Sequence, residues 1–210
     1  MTQPGFPRMV VNLGMLREVE LDLINKAAKG DPNAFRHLVE LYQSFAYALA
    51  YRYTTEEDDA EDITQEAFIK IWKNLDRYDA QFPFKAWLGK IITNLCLDHL
   101  KSGRRKHESK KTKTDNTLEM ASTDEPGKEL EISELRSIVN QLAAQLTEQQ
   151  RSVFILRDLE MFTSDEVCAM LNQSPGNLKS NLYYARLKIK QGLAAWYNYK
   201  NDQGTKSKKL

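Results

Sequence analysis

Charged and aromatic residues are sorted along residues 54–113 in a way that a purely structural segment does not require. The stretch opens with seven acidic residues and no basic one: Glu56, Glu57, Asp58, Asp59, Glu61, Asp62 and Glu66. Aromatic residues follow between Tyr78 and Trp87, and the stretch closes on Lys101, Arg104, Arg105, Lys106, Lys110, Lys111 and Lys113. Cations bind phosphates and flat side chains stack on unpaired bases, so the second half is suited to opened nucleic acid. The acidic half would repel nucleic acid and favours a basic protein surface.

Each of these features also has an ordinary structural explanation. Aromatic residues at a junction between a helix and a loop usually fill a core. Acidic residues at the start of a helix complement its dipole. A third alternative, a metal-dependent nuclease site on the acidic run, is weaker because six of the seven acids fall within seven residues and no lysine or histidine base accompanies them. The sequence predicts no catalytic residues, no metal and no cofactor.

Composition limits the remaining possibilities. With 210 residues, 41% of them hydrophobic, the chain can form one modest domain or two small ones. The net charge of +1 gives no global sign of nucleic-acid binding, so the indication lies in the local segregation of charge. Cys96 and Cys168 both fall on apolar helix positions and predict reduced, buried thiols. No apolar run approaches the ~20 residues of a membrane span, and we expect a cytoplasmic protein without membrane insertion.

Periodicity predicts an all-α fold of two small helical domains joined by a flexible linker. A short helix is expected from near Leu21 to Gly30, and Asp31-Pro32 is typical of an N-cap followed by proline at the first helical position. A further helix is expected after Pro83. The predicted segments are an N-terminal extension (1–20), a first domain (21–106), the linker (107–130), a second domain (131–200) and a disordered tail (201–210).

The linker assignment depends on composition. Between His107 and Gly127 the only hydrophobic residues are Leu118, Met120 and Ala121, which cannot support a core. Its second half is acidic. We therefore expect the two domains to tumble semi-independently.

The second domain has the pattern of a helix-turn-helix. Thr147 to Gln150 and Thr163 to Glu166 each have the form of a capping box. The turn Asn172 to Gly176 then separates two short helices. On the last helix, Ser180, Tyr183, Tyr184 and Leu187 face away from a leucine stripe, with Lys179, Arg186 and Lys190 on one flank. A DNA-reading helix has this distribution, although an exposed helix end with solubilising lysines would share it.

Three strings, in this order, resemble the extracytoplasmic-function group of bacterial sigma factors. They are DAEDITQEAFIKIW (Asp59 to Trp72), FPFKAWLGKIITNLCLDHL (Phe82 to Leu100) and LTEQQRSVFILRDLEMFTSDEVCAMLNQSPGNLKSNLYYARLKI (Leu146 to Ile189). The resemblance covers roughly Leu21 to Leu193. It implies a factor that binds core RNA polymerase, recognises the −35 and −10 promoter elements and promotes DNA melting. A stand-alone helix-turn-helix regulator is the alternative, which leaves the acidic helix and the aromatic loop unexplained.

The resemblance also implies a role for particular residues. The polymerase-docking set is Asp62, Gln65, Glu66 and Phe68. The set for the −10 element, where a base is flipped out of one strand, is Tyr78, Phe82, Phe84, Lys90, Asn94, Lys101, Arg104 and Arg105. The set for the −35 element is Asn177, Lys179, Ser180, Tyr183, Tyr184 and Arg186. The acidic linker would pass near the polymerase active-site channel, and an anti-sigma factor is expected as a further partner.

Two residues depart from the family pattern. Asn181 and Tyr184 stand where arginine is common in the family. We therefore expect fewer phosphate contacts and an altered −35 preference.

Overall fold

The computed structural model describes residues 13–108 and 128–206, with side chains for residues 17–102 and 134–200. Within those ranges the chain is helical and contains no strand. The helices are α1 (Leu13–Ala28), α2 (Pro32–Thr54), α3 (Glu57–Asn74), α4 (Phe84–Glu108), α5 (Lys128–Ala144), α6 (Glu148–Phe154), α7 (Ser164–Leu171) and α8 (Pro175–Lys206). A 3₁₀ turn at Leu75–Arg77 and a π-helical turn at Ile155–Leu159 complete the fold.

The N-terminal helical unit, α1 to α4, is built around α2. Asp31 caps α2 as predicted, since its carboxylate accepts hydrogen bonds from the backbone N–H groups of Asn33 and Ala34, and Pro32 occupies the first turn. One face of α2 is fully buried among α1, α3 and α4. The first helix differs from the prediction, because α1 begins at Leu13 rather than near Leu21. Arg17 and Glu18 on α1 are exposed and do not interrupt the helix.

Helix α4 begins directly after Pro83, as the sequence predicts. Its buried face carries Leu88, Ile92, Leu95 and Cys96. Burial raises the pKa of the Cys96 thiol to about 12, which keeps it protonated and unreactive. Cys168 is also a free thiol and is partly exposed.

The C-terminal helical unit, α5 to α8, contains the predicted helix-turn-helix. Thr163 and Glu166 form a reciprocal capping box at the start of α7. Thr147 accepts a hydrogen bond from the N–H of Gln150 at the start of α6. Asn172 ends α7 in the left-handed conformation, with φ of 50°, and α8 starts three residues later at Pro175. A small core of Ala143, Leu146, Phe154, Ala185 and Ile189 joins α5, α6 and α8.

The two helical units share one hydrophobic core. Val153, Ile155, Leu156, Phe162, Val167 and Met170 of the C-terminal unit are buried in the same cluster as α2, α3 and α4. The two units are therefore in contact in this structure, contrary to the expectation that they tumble semi-independently. The linker composition could not reveal the contact, because the apolar residues that form it lie inside the helical units themselves.

The remaining sequence-based boundaries have mixed outcomes. The all-α fold with two helical units is confirmed. Most of the linker, residues 109–127, lies outside the described residues. Helix α8 continues to Lys206, so the prediction of a disordered tail from Asn201 is wrong for its first six residues. No helix in the described part of the chain has the length and hydropathy needed to cross a lipid bilayer.

The capping box makes a testable contribution to stability. Thr163→Ala removes the hydroxyl that accepts from the N–H of Glu166, so we expect a loss of about 1 kcal/mol in the free energy of unfolding. Thr163→Ser keeps the acceptor and is the matched control. Urea unfolding followed by circular dichroism measures both, and equal midpoints for the wild type and Thr163→Ala would contradict the assignment.

Candidate nucleic-acid and protein-docking surfaces

The aromatic loop, Tyr78 to Phe84, is held in a defined shape by three local hydrogen bonds. The Tyr78 hydroxyl donates to the carbonyl of Phe82 at 2.6 Å. Asp79 accepts from the N–H of Gln81 at 2.9 Å, and its carbonyl accepts from the N–H of Phe82 at 3.2 Å. The Arg17 guanidinium on α1 also donates to the carbonyl of Ala80 at 3.2 Å. The loop is therefore ordered before any ligand binds.

Three aromatic rings form a cluster at the base of this loop. The ring centroids of Tyr78, Phe84 and Trp87 lie 5.4 to 5.9 Å apart in tilted or edge-on arrangements. Phe84 is fully buried, whereas Phe82 at the tip is 46% exposed. Partial burial raises the pKa of the Tyr78 phenol, so its hydroxyl stays protonated at neutral pH. Phe84 thus supports the cluster from below, and Phe82 is free to contact a ligand.

One face of α4 continues from the loop. At ~100° per residue, Trp87, Lys90, Asn94 and Lys101 fall within roughly 60° of one another around the helix axis. Lys90, Asn94 and Lys101 are exposed. Arg104 and Arg105 follow on the same helix, and their side chains lie outside the described residues. Of the sequence-predicted −10 set, Tyr78, Phe82, Lys90, Asn94 and Lys101 therefore lie on one surface that runs from the loop along α4, and Phe84 is buried beneath it.

The predicted docking set on α3 also contains both exposed residues and a buried one. Asp62, Gln65 and Glu66 are exposed on the side of α3 opposite the buried stripe of Ala60, Ile63, Ala67 and Ile71. Phe68 is only 8% exposed and packs edge-on against Phe35, with ring centroids 6.5 Å apart. Phe68 therefore lies in the core, and the exposed members of the predicted docking set, here called the docking face, are Asp62, Gln65 and Glu66.

A shallow depression beside the docking face was not predicted from the sequence. It has a volume of about 350 Å³ and is lined by Gln43, Ser44, Tyr47, Glu61, Thr64 and Gln65. Desolvation, followed by the negative charges of Glu57 and Glu61, raises the pKa of the Tyr47 phenol. The depression has acceptor groups on both helices, which suits a basic or polar partner helix.

Helix α8 presents the residues of the predicted −35 set to solvent. Leu178, Leu182, Ala185 and Ile189 are buried on one side of α8. The opposite half carries the exposed −35 set, Asn177, Lys179, Ser180, Tyr183, Tyr184 and Arg186. Ser174 accepts a hydrogen bond from the N–H of Asn177 at 3.3 Å, which caps the helix start.

Arg186 already has a partner within the chain. Its guanidinium makes a bidentate contact with Asp158, at 2.8 Å from Nε and 2.6 Å from Nη2. These hydrogen bonds raise the pKa of Arg186 above its ordinary range. Asp158 was not predicted as a functional residue. It lies on the π-helical turn, whose register cannot be deduced from a 3.6-residue periodicity.

The fold and these surfaces define a helical, two-part DNA-binding protein with a helix-turn-helix at its C-terminal end. Two family models match it: "Sigma-70 region 2" over residues 38–106 and "Sigma-70, region 4" over residues 136–189. Together they span more than half of the chain. The chain therefore belongs to the sigma-70 family, and its relatives place it in the extracytoplasmic-function group of alternative sigma factors, which recognise promoters and act in transcription initiation.

Two relatives illustrate the similarity. The ECF RNA polymerase sigma factor SigW of Bacillus subtilis is 29% identical over 185 residues, which cover 81% of this chain and 94% of the relative. The ECF RNA polymerase sigma-E factor of Escherichia coli K12 is 31% identical over 173 residues, which cover 78% and 88%. Members of this family are initiation factors rather than enzymes. The region 2 match accounts for the acidic helix and the aromatic loop, which a stand-alone helix-turn-helix regulator leaves unexplained.

Solved structures show the same fold. CnrH in complex with the cytosolic domain of CnrY has a TM-score of 0.62, 23% identity and coverage of 84% of this chain and 98% of that one. The sigma factor RpoE of Bartonella quintana, in complex with the anti-sigma factor NepR, has a TM-score of 0.64, 21% identity and coverage of 76% and 96%.

Replacing each of the two phenylalanines of the aromatic loop by alanine should change the stability by very different amounts. Phe84→Ala empties a fully buried site and should cost about 3–5 kcal/mol in the free energy of unfolding. Phe82→Ala removes a half-exposed ring and should change it by no more than about 0.5 kcal/mol. Urea unfolding measures both, and a loss for Phe82→Ala as large as that for Phe84→Ala would place Phe82 in the core.

Proposed function

We propose that three separate surfaces divide the work of initiation: the docking face binds core RNA polymerase, the aromatic loop with α4 holds the melted −10 strand, and α8 reads the −35 duplex. The observation that carries this proposal is the common surface formed by the loop and one face of α4. Aromatic rings, an amide and cations follow one another along it, and these are the groups that unstacked bases and phosphates require. The proposed domain boundaries are 21–106 and 131–200.

The docking face is suited to binding polymerase because it is polar and exposed, and because the opposite face of α3 is packed in the core. Asp62, Gln65 and Glu66 project from a helix whose opposite face is fully packed. Glu66 is 3.0 Å from Lys70, so its charge is partly balanced within α3. Asp62 has no such ion pair among the salt bridges of the described residues and is the better charge for a basic partner surface.

Charge reversal at Asp62 tests the docking face. Asp62→Lys should weaken binding to core polymerase at least about tenfold, because opposed like charges cost several kcal/mol at an interface. Glu18→Lys, on the exposed side of α1, makes the same change away from the face and should bind normally. Fluorescence titration with core polymerase measures both. Equal affinities for Asp62→Lys and the wild type would contradict the proposal that the docking face binds core polymerase.

The aromatic loop is suited to base capture because local hydrogen bonds already hold its side chains in position. Tyr78 is ordered by its bond to Phe82, and Asn94 lies exposed farther along the same surface. A base flipped from the stack needs a flat partner and hydrogen-bonding groups near it, and these two side chains supply them. Lys90 and Lys101 would hold the flanking phosphates.

Loss of these two side chains should affect melting more than duplex binding. Tyr78→Ala and Asn94→Ala should each reduce open-complex formation on a promoter selected by run-off transcription from a random library. A lost stacking contact is worth about 1–3 kcal/mol, or roughly 5- to 150-fold. Tyr199→Ala removes an exposed tyrosine on α8 and is the control. Permanganate footprinting of the start-site thymines measures melting, and undiminished reactivity in both variants would place the base elsewhere.

Helix α8 is suited to binding the −35 element because the predicted −35 set lies on its exposed side. Lys179 is suited to phosphate contact, whereas Ser180 and Tyr183 lie toward the N-terminal part that enters a major groove. Asn181 and Tyr184 replace arginines common in the family. The chain should therefore make fewer phosphate contacts at this element than its relatives.

Salt dependence separates phosphate contacts from base contacts. Each neutralised phosphate contributes about 0.9 to the slope of log affinity against log salt on duplex DNA. Lys179→Ala in the holoenzyme should make this slope shallower by roughly one unit, and Asn181→Arg should steepen it by a similar amount. Lys188, which bonds Gln150 on another side of α8, supplies the control Lys188→Ala. An unaltered affinity and slope in Lys179→Ala would mean that this helix does not contact DNA.

Two further elements of the proposal follow from the family. The chain acts in the cytoplasm, where bacterial polymerase and DNA are found. An anti-sigma factor is proposed as a partner because the structurally similar RpoE is captured with the anti-sigma factor NepR. Co-purification of the tagged chain from its host would identify this partner.

A further inference from the structure

Three cations lie on one stripe of α8. At ~100° per residue, Lys179, Arg186 and Lys190 fall within roughly 40° of one another around the helix axis. All three line an open groove of about 600 Å³ beside α8, together with Tyr183. Among the described residues, Lys179 and Lys190 make no ion pair. Arg186 differs from both lysines, because the chain itself pairs it with Asp158.

The pair with Asp158 occupies one edge of the Arg186 guanidinium. Nε and Nη2 donate to the two carboxylate oxygens of Asp158, at 2.8 and 2.6 Å. A guanidinium has five N–H groups in a planar fork, so the outer edge formed by Nη1 and Nη2 keeps donors for a second acceptor. The side chain of Arg186 is 58% exposed and that of Asp158 is 21% exposed. The pair therefore leaves Arg186 able to bind DNA but fixes the direction in which it donates.

Asp158 is held in place by the core beneath it. It lies on the π-helical turn Ile155–Leu159, in which Ile155 and Leu156 are fully buried. The N–H of Glu160 closes this turn by donating to the carbonyl of Ile155 at 2.9 Å, the five-residue spacing of a π-helix. A long arginine side chain has many rotamers, and a two-point contact with a carboxylate on a fixed backbone removes most of that freedom.

Pairing also cancels most of the charge that Arg186 would show at a distance. A cation and an anion a few ångströms apart offset each other beyond the ~8–10 Å over which salt screens charges. Lys179 keeps its charge and attracts a phosphate of any sequence. Arg186 contributes only where a phosphate oxygen lies at hydrogen-bond distance from its outer edge.

The position of Arg186 on α8 favours a phosphate contact over a base contact. Arg186 lies eleven residues after Pro175, or about 16 Å along the helix axis, whereas a recognition helix reads base edges with its N-terminal residues. Phosphate positions depend on groove width and local twist, which vary with sequence. A donor of fixed direction therefore distinguishes duplexes by their shape, which a flexible free cation does not.

We propose that Asp158 is a specificity-determining residue for the −35 element: it orients Arg186 toward the phosphate position of the correct duplex and prevents Arg186 from acting as a free cation on unrelated DNA. The proposal rests on the proposed function of α8. Asp158 acts through Arg186 rather than by touching DNA, so it is a positioning residue.

The salt dependence of holoenzyme binding to two duplexes tests this role. One duplex is a promoter selected by run-off transcription from a random library, and the other is the same promoter with the bases of its −35 element shuffled. Asp158→Asn keeps the shape of the side chain but removes its charge, so Arg186 becomes a free cation. On the shuffled duplex the slope of log affinity against log salt should steepen by about 0.9, a gain of about eightfold over the wild type for each tenfold fall in salt. The ratio of promoter affinity to shuffled affinity should fall by about fivefold, the discrimination that one contact carries.

Two further variants separate the orientation of Arg186 from other effects. Asp158→Glu keeps a carboxylate that can re-form the pair, and it should retain the wild-type slope and ratio. Asp158→Asn/Arg186→Gln removes both charges, so it should restore the wild-type slope on the shuffled duplex but not the ratio. Glu134→Gln is the matched control, because it removes a carboxylate that pairs with Lys200 farther along α8. It should bind both duplexes as the wild type does, and circular dichroism checks that each variant is folded.

Two results would overturn the proposal. One is a wild-type slope and ratio in Asp158→Asn. The other is a slope that stays steep in Asp158→Asn/Arg186→Gln, because the gain would then come from lost repulsion between Asp158 and DNA rather than from Arg186. Failure of the proposed function has a different signature, namely an unaltered slope in the Lys179→Ala holoenzyme. If Lys179→Ala makes the slope shallower but Asp158→Asn changes nothing, α8 binds the element and only the role of Asp158 is refuted.

Discussion

The burial of the C-terminal end of α2 is the constraint on which the arrangement of the whole chain depends. The last carbonyls of α2 have no partners within the helix, and Arg151 of the C-terminal unit donates to two of them. A buried guanidinium is costly unless its donors are satisfied, so the two helical units must meet in a narrow range of geometries. The apolar residues Val153, Ile155 and Leu156 follow Arg151 directly and complete the core around α2. Arg151 and these apolar residues thereby fix where the helix-turn-helix lies on the N-terminal unit and how much of it is buried.

Helix α4 has a buried face that contributes to the core and a second face that carries polar and charged residues. Helix α4 buries Leu88 and Ile92 in the core, and a neighbouring face carries Lys90, Asn94 and Lys101. That face is proposed to hold a melted DNA strand, and two of its lysines now bond the C-terminal unit. Each of these bonds is a single contact at a partly exposed site, so it contributes little to the free energy of the contact between the units.

Much of the fold could be predicted from local pattern. The Asp31-Pro32 start of α2, the start of α4 after Pro83 and the Thr163–Glu166 capping box each depend on a few neighbouring residues, and all are confirmed. The contact between the units could not be predicted, because it depends on residues far apart in the sequence, such as Arg52 with Glu160. Phe68 and Phe84 were also not fully predictable. Their spacing in the sequence predicts a helix or a loop, but only the packing of the structure shows that both rings are buried beneath the surfaces predicted to bind partners. The roles of the exposed residues came from resemblance, and their chemistry on the surface is consistent with those roles.

The distance between the two helical units in the free protein tests most directly the claim that the Arg151 contact fixes their arrangement. Donor and acceptor dyes at Lys73→Cys on α3 and Lys188→Cys on α8, in a Cys168→Ser background, report this distance by single-molecule energy transfer; both positions are exposed and Cys96 is buried. The account predicts a single short distance in the free chain, because the Arg151 contact and the shared apolar core hold the two units together. A broad distribution of distances in the free chain would contradict it.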